Sequence, residues 1–244
     1  MLTLQSFRPE TRRLKLKQNK MTGALLMVAV PIGNADDWSP RAVRTLKECD
    51  LVIAEDTRVA LRRLAGAGIK KPVERYDHHS HGKVISKIAA NLREGMKVAF
   101  ISDAGTPGVE DPGGRLVEAV ADLMPTLPII PIPGPSSVMA ALSVSGFPAE
   151  HFSVCGFPPK KKSREKYFDA VISKKETVVI YESTHRILKT MDSLAKRAPE
   201  RRAIIARELT KKYETILRGT LSDLSRRLTS EVIKGEFVIV LSPI

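Results

Sequence analysis

The chain has 244 residues, 43% hydrophobic and 27% charged, and a net charge of +13. The hydrophobic share is in the globular range, and the length allows one large or two compact domains, each with a real core. The cationic excess favours a polyanionic partner, nucleic acid first and a polycarboxylate ligand second, while no apolar run reaches membrane-spanning length.

Residues 1–20 carry six basic side chains (Arg8, Arg12, Arg13, Lys15, Lys17, Lys20) against one acid, Glu10. They read as a basic, flexible tail: either a dispensable extension ahead of an alternative start at Met21, or an RNA-contacting arm. From Leu25 onward, strands and helices alternate. Residues 25–30 form an apolar strand, broken by Pro31-Ile32-Gly33-Asn34. Ser39-Pro40 opens a helix, the serine as cap and the proline at the first helical position. Residues 51–54 are a second strand, followed by Glu55-Asp56-Thr57-Arg58 and a helix from 59 to about 65 that Gly66 stops. Residues 73–76 are extended and lead into Asp77-His78-His79-Ser80-His81. Val84, Ile85, Ile88 and Leu92 then make one apolar helical stripe. Residues 97–101 form a strand whose unbroken apolar run suits burial on both faces. A helix over 112–123 and a strand over 128–132 follow. Such alternation implies βαβ units and a mostly parallel sheet.

Pro131-Ile132-Pro133-Gly134-Pro135 cannot continue a helix or a central strand. The domain boundary is placed there, between an N-terminal α/β domain (21–132) and a C-terminal α/β domain (133–244). Ser136-Ser137 then caps a helix through Leu142, whose amino end exposes free N–H groups. In the second half, residues 152–155 are a strand and Gly156-Phe157-Pro158-Pro159 a turn. Lys160, Lys161, Lys162, Arg164 and Lys166 follow on a helix. Residues 177–181 are a strand ending in Glu182-Ser183-Thr184-His185-Arg186, and 187–195 a helix. A strand over 203–206 leads to Arg207-Glu208-Leu209-Thr210-Lys211. Residues 213–217 are extended, 221–228 helical, and 235–241 a closing strand.

Ser102-Asp103-Ala104-Gly105-Thr106-Pro107 sits at the carboxyl end of the central strand, where open parallel sheets bind small ligands. It offers a carboxylate, two hydroxyls and, at Gly105, backbone that a ligand can approach closely. Asp103 is equally suited to cap the helix after Pro112. Glu55 and Asp56 fall near the spacing of a ribose-binding acid, but Pro31-Ile32-Gly33-Asn34 is not the glycine fingerprint of a dinucleotide fold. His78, His79 and His81 lack the partners of a metal site. Cys49 and Cys155 lie far apart with no pairing motif, and read as reduced, buried thiols of a cytosolic protein.

Taken in order, Pro31-Ile-Gly-Asn34, Glu55-Asp-Thr-Arg58, Ile101-Ser-Asp-Ala-Gly-Thr-Pro107, Pro133-Gly-Pro-Ser-Ser137, Gly156-Phe-Pro-Pro159, Tyr181-Glu-Ser-Thr-His-Arg186, Arg207-Glu-Leu-Thr-Lys211 and Gly235-Glu236 resemble the tetrapyrrole methylase superfamily, the class III methyltransferases. Within it, the chain resembles the ribosomal RNA small subunit methyltransferase I group. The resemblance implies a two-domain α/β fold with a mixed C-terminal sheet, a homodimer, and S-adenosylmethionine bound in the cleft between the domains. It implies methyl transfer to the ribose 2′-hydroxyl of a cytidine in the decoding region of 16S rRNA, within the small ribosomal subunit. Carried over by position, the cofactor residues are Pro31, Ile32, Gly33, Asp103, Gly105, Thr106, Ser137, Val138, Tyr181, Ala206 and Glu236.

Methyl transfer from a sulfonium to oxygen needs alignment and a proton acceptor, and no metal. Glu55, Asp56, Glu182, His185, Glu208 and Lys211 are the polar candidates. Glu182, Arg186, Arg207 and Glu208 serve equally well as an ion-pair network bracing the cleft. Three readings stand: the rRNA 2′-O-methyltransferase, a methylase of a corrin-type macrocycle, and a non-catalytic RNA-binding assembly factor on the same fold. The low aromatic content, 5%, argues against a base-stacking cluster and for recognition by rRNA shape and phosphates.

Overall fold

The computed structural model describes residues 23–77, 81–229 and 233–244; the basic tail, His78 and His79 lie outside them. The first half folds around a sheet of β1 (Ala24–Val28), β2 (Leu51–Ala54), β3 (Val73–Arg75), β4 (Lys97–Ile101) and β5 (Ile129–Ile132). All neighbours are parallel, in the order β3-β2-β4-β1-β5. The central strands are apolar at nearly every position because both faces are covered. Leu26, Val28, Val52 and Ala99 pack with α1 (Pro40–Glu48) and α2 (Thr57–Gly66). Leu25, Ile53, Val98 and Phe100 pack with α3 (His81–Arg93) and α4 (Gly113–Leu123). Pro131 is tolerated because β5 is an edge strand, bonded to β1 alone.

Strand order decides where the site lies. From β1 the chain moves toward β3, through α1 and α2; from β4 it moves the other way, through α4 to β5. The neighbours β1 and β4 therefore send their chains to opposite faces, and a crevice opens between the loops that follow them. Those loops are stitched together: the Val30 and Gly105 amides each donate to the other's carbonyl, at 3.0 and 3.1 Å.

The second half builds a mixed sheet from β6 (Phe152–Val154), β7 (Thr177–Ser183), β8 (Arg202–Arg207), β9 (Thr215–Thr220) and β10 (Glu236–Leu241), in the order β6-β7-β10-β8-β9. Only β6 and β7 are parallel. One face is covered by α6 (Arg164–Ile172), α7 (Ile187–Arg197) and α8 (Leu221–Leu228). The other takes α5 (Ser137–Ser143) and, from the first half, Ile32.

Several local readings need correction. Lys160, Lys161 and Lys162 are not helical; they lie in exposed turns, and α6 starts only after Ser163, which adopts φ 64°. Tyr213 belongs to a turn closed by the Thr210 amide donating to Glu214, so β9 begins at Thr215. The Asp103 cap does not form: the Gly108 and Gly113 amides donate to Asp111 instead, ahead of α4. Cys155 is half-buried, whereas Cys49 is fully buried.

Candidate active site

The crevice widens into a cleft of ≈ 580 Å³ between the two sheets, entered by the loops after β1, β4, β7 and β8. Ile32, Ala206, Leu209 and Val238 give it an apolar floor. On the first-half wall stands Asp103. Its Oδ1 is buried without a hydrogen-bond partner. Burial pushes the Asp103 carboxyl above its ordinary range, against a bond from the Asp56 amide. Behind it, Arg63 of α2 donates to the Pro31 carbonyl at 2.9 Å, and its buried Nε also lacks a partner. Burial lowers the Arg63 pKa, with Asp103 and Glu236 pulling the other way.

The carboxylates of the second-half wall are bonded. Glu182 is fully buried at the end of β7, pairs with Arg186 at 2.9 Å, and accepts from the Ser183 amide and from Thr190 Oγ1. Glu208 accepts from the Glu236 amide at 2.9 Å, and Lys211 bridges Glu208 and Glu236, each at 2.9 Å. Burial raises the Glu208 carboxyl, but Lys211 and that amide outweigh it and leave the pKa low. Asp56 is held low by Arg58 and by the α2 amides it caps.

The two halves meet at both ends of the cleft. At one end the Asn34 amide donates to Thr210 Oγ1 at 3.0 Å. Gly33 permits that approach, since a Cβ there would lie 2.4 Å from Lys211 Cγ. At the other end the Glu110 carboxylate lies against Gly156, where a Cβ would meet Oε1 at 2.1 Å. Glu110 itself sits at φ 60°, a conformation a non-glycine residue holds only when its surroundings impose it.

A family model for tetrapyrrole (corrin/porphyrin) methylases matches residues 24–225. A Neisseria meningitidis protein named ribosomal RNA small subunit methyltransferase I is 40% identical over 94% of this chain and 79% of its own length. The Thermotoga maritima protein of the same name is 37% identical over 90% of this chain and 98% of its own length. The chain belongs to the tetrapyrrole methylase family, in the small subunit methyltransferase I group. The fold agrees with that of Thermus thermophilus uroporphyrin-III C-methyltransferase, solved with S-adenosylhomocysteine: TM-score 0.59, 19% identity, 89% of this chain and 96% of that one.

Of the cofactor positions carried over from the family, Ile32, Asp103, Ser137, Tyr181, Ala206 and Glu236 line the cleft. Ser137 Oγ donates to the Tyr181 hydroxyl at 3.3 Å. Pro31, Gly33, Gly105, Thr106 and Val138 are not part of the lining. Pro31 receives Arg63, Gly105 pairs with Val30, Val138 is in the core, and Thr106 donates to the Pro135 carbonyl at 2.9 Å. Among the polar candidates, Glu55, Glu182 and His185 line the cleft, whereas Asp56, Glu208 and Lys211 do not. Sequence reasoning missed Arg63, one of several arginines on an amphipathic helix, and Glu110, whose approach to Gly156 is a contact between distant loops. It also missed Phe157. That ring lies 5.4 Å from the Tyr181 ring, so an aromatic pair does flank the cleft despite the low aromatic content.

Proposed function

We propose that this chain is a cytoplasmic, homodimeric enzyme that transfers a methyl group from S-adenosylmethionine to the ribose 2′-hydroxyl of a cytidine in the decoding region of 16S rRNA, within the small ribosomal subunit. Residues 21–132 and 133–244 are its two domains. The observation that carries the reading is Asp103, a residue of the cleft lining at the reversal point of a parallel sheet whose buried Oδ1 has no hydrogen-bond partner. Buried polar atoms are bonded unless a ligand completes them. A cationic cofactor suits the Asp103 carboxylate, and the apolar floor beside Tyr181 suits an adenosine.

S-adenosylmethionine supplies a methyl group on a sulfonium that is already a good leaving centre. The chain's residues bind, orient and take up the proton. Asp103 holds the positive end of the cofactor, the α5 end with Ser137 and Tyr181 holds the nucleoside side, and the Asn34–Thr210 hydrogen bond joins the two halves. Orientation of this kind is the larger share of a one-step transfer. The 2′-hydroxyl proton passes to a polar group of the cleft lining, where Glu55, Glu182 and His185 stand. The test is transfer of a tritiated methyl group to small subunits, naked 16S rRNA and a tetrapyrrole. Label in the ribose of small-subunit rRNA is expected. Label in the tetrapyrrole alone overturns the reading.

A further inference from the structure

The turn Gly156-Phe157-Pro158-Pro159 is held from three sides. Arg186 Nη1 donates to the Pro158 carbonyl at 2.7 Å, Arg164 Nη1 to the Pro159 carbonyl at 3.2 Å, and the Tyr167 hydroxyl to the Gly156 carbonyl at 3.3 Å. Both arginines lead back to one carboxylate. Arg186 pairs with Glu182 directly, while Arg164 Nη2 donates to Thr190 Oγ1 at 2.7 Å, which donates to Glu182 Oε2 at 2.5 Å. The planar, always-charged guanidinium suits such fixed, multiply bonded roles. The buried Glu182 charge thus sets the position of a turn that faces the cleft.

That turn presents Phe157. Its ring tilts 32° against Tyr181, sits under the Arg186 guanidinium at 6.0 Å, and stays 45% exposed on the cleft wall. The chain then runs directly into Lys160, Lys161 and Lys162, all exposed. A fixed aromatic face followed at once by adjacent cations is the arrangement that grips single-stranded nucleic acid, with bases stacked and phosphates paired.

We propose that Phe157 stacks on a base of the RNA at the acceptor position, and that Glu182 is a positioning residue that holds Phe157 there through Arg186 and Arg164. The inference rests on the RNA reading above and adds to it the residue that meets the base. The cofactor adenine is the less suitable occupant, because the Phe157 ring is 45% exposed and the chain runs from it straight into exposed lysines.

The test measures affinity for a small-subunit rRNA fragment in the presence of S-adenosylhomocysteine, together with KM and kcat on small subunits, for Phe157→Leu, Phe157→Trp, Glu182→Gln and the double variant Phe157→Leu/Glu182→Gln. Base–aromatic stacking predicts about a ten-fold loss of RNA affinity and a matching rise in KM for Phe157→Leu. Phe157→Trp restores both, and affinity for S-adenosylhomocysteine is unchanged. Glu182→Gln shows the same KM effect, and the double variant is no worse than Phe157→Leu, because Glu182 acts through the ring. Additive losses assign Glu182 a merely structural role. Unchanged RNA affinity in Phe157→Leu overturns the inference, as does a loss confined to S-adenosylhomocysteine, which gives the ring to adenine. If wild type binds the fragment but methylates nothing, the methyltransferase reading fails while the binding comparison still decides the stacking.

Discussion

The two walls of the cleft treat their charges in opposite ways. On the first-half wall, Asp103 and Arg63 each keep a buried polar atom unpaired, and the Asp103 carboxyl is pushed up by burial. On the second-half wall, Glu182 and Glu208 are saturated by arginine, lysine, hydroxyl and amide donors. Protein interiors leave few polar atoms orphaned, because each costs roughly 1–3 kcal/mol. The unpaired groups of the first-half wall are therefore the ones arranged for a ligand, whereas the buried carboxylates of the second half brace the structure. The Tyr181-Glu-Ser-Thr-His-Arg186 motif places an acid in the cleft lining, yet the bonds of that acid point into the protein.

The largest effect that sharpens this contrast is on stability. Glu182→Ala removes one partner of a buried pair and strands Arg186 and Thr190. It should cost about 3–5 kcal/mol, read as an early thermal transition. A small loss, with activity gone, would move Glu182 from scaffold to chemistry. Next is Asp103→Ala, which should weaken S-adenosylhomocysteine binding in calorimetry by about 1.5–3 kcal/mol, roughly ten- to hundred-fold, without lowering the melting temperature. Normal binding by a variant that melts early would make Asp103 part of the scaffold.

A smaller effect carries a sign. The Asp103 pKa is raised in the folded chain, so its charge is a penalty that the unfolded chain does not bear. That penalty is absent below the ordinary carboxylate pKa of about 3.9, grows above it, and is complete once the pH has passed the raised value. Asp103→Asn should therefore melt slightly higher than wild type near pH 7, with the gap closing as pH falls toward 4, while its cofactor affinity is reduced. A wild type that is the more stable at pH 7 would show the carboxylate to be satisfied. The smallest effect is on salt dependence. Replacing Lys160, Lys161 and Lys162 with Glu should weaken RNA binding and lower the slope of log K against log salt by about 0.7–0.9 per lost phosphate contact.

Much of this was legible in the sequence, for identifiable reasons. Residues 51–54, 221–228 and 235–241 read correctly because uniform apolar runs and a clean amphipathic stripe leave one interpretation. The strand over 177–181 stopped short of its end at Ser183 because Glu182 looks like a boundary, and only Arg186 and Thr190, from beyond the strand, make it buriable. The lysines after Pro159 read as helix because charge carries no period of its own, and the left-handed turn at Ser163 has no sequence mark. Asp103 was correctly drawn to the cleft, yet its role could not be separated from a cap until Asp111 was seen to hold the Gly108 and Gly113 amides. Arg63 and the Glu110–Gly156 contact depend on tertiary approach alone.

The central claim is that the first-half wall binds the cofactor for methylation of a ribose in small-subunit rRNA. Mass spectrometry of nucleosides from the small-subunit rRNA of a deletion strain tests it most directly. The account predicts loss of one 2′-O-methylcytidine, restored by the wild-type gene and not by an Asp103→Ala copy. Intact ribose methylation in the deletion strain, or full restoration by Asp103→Ala, would contradict it.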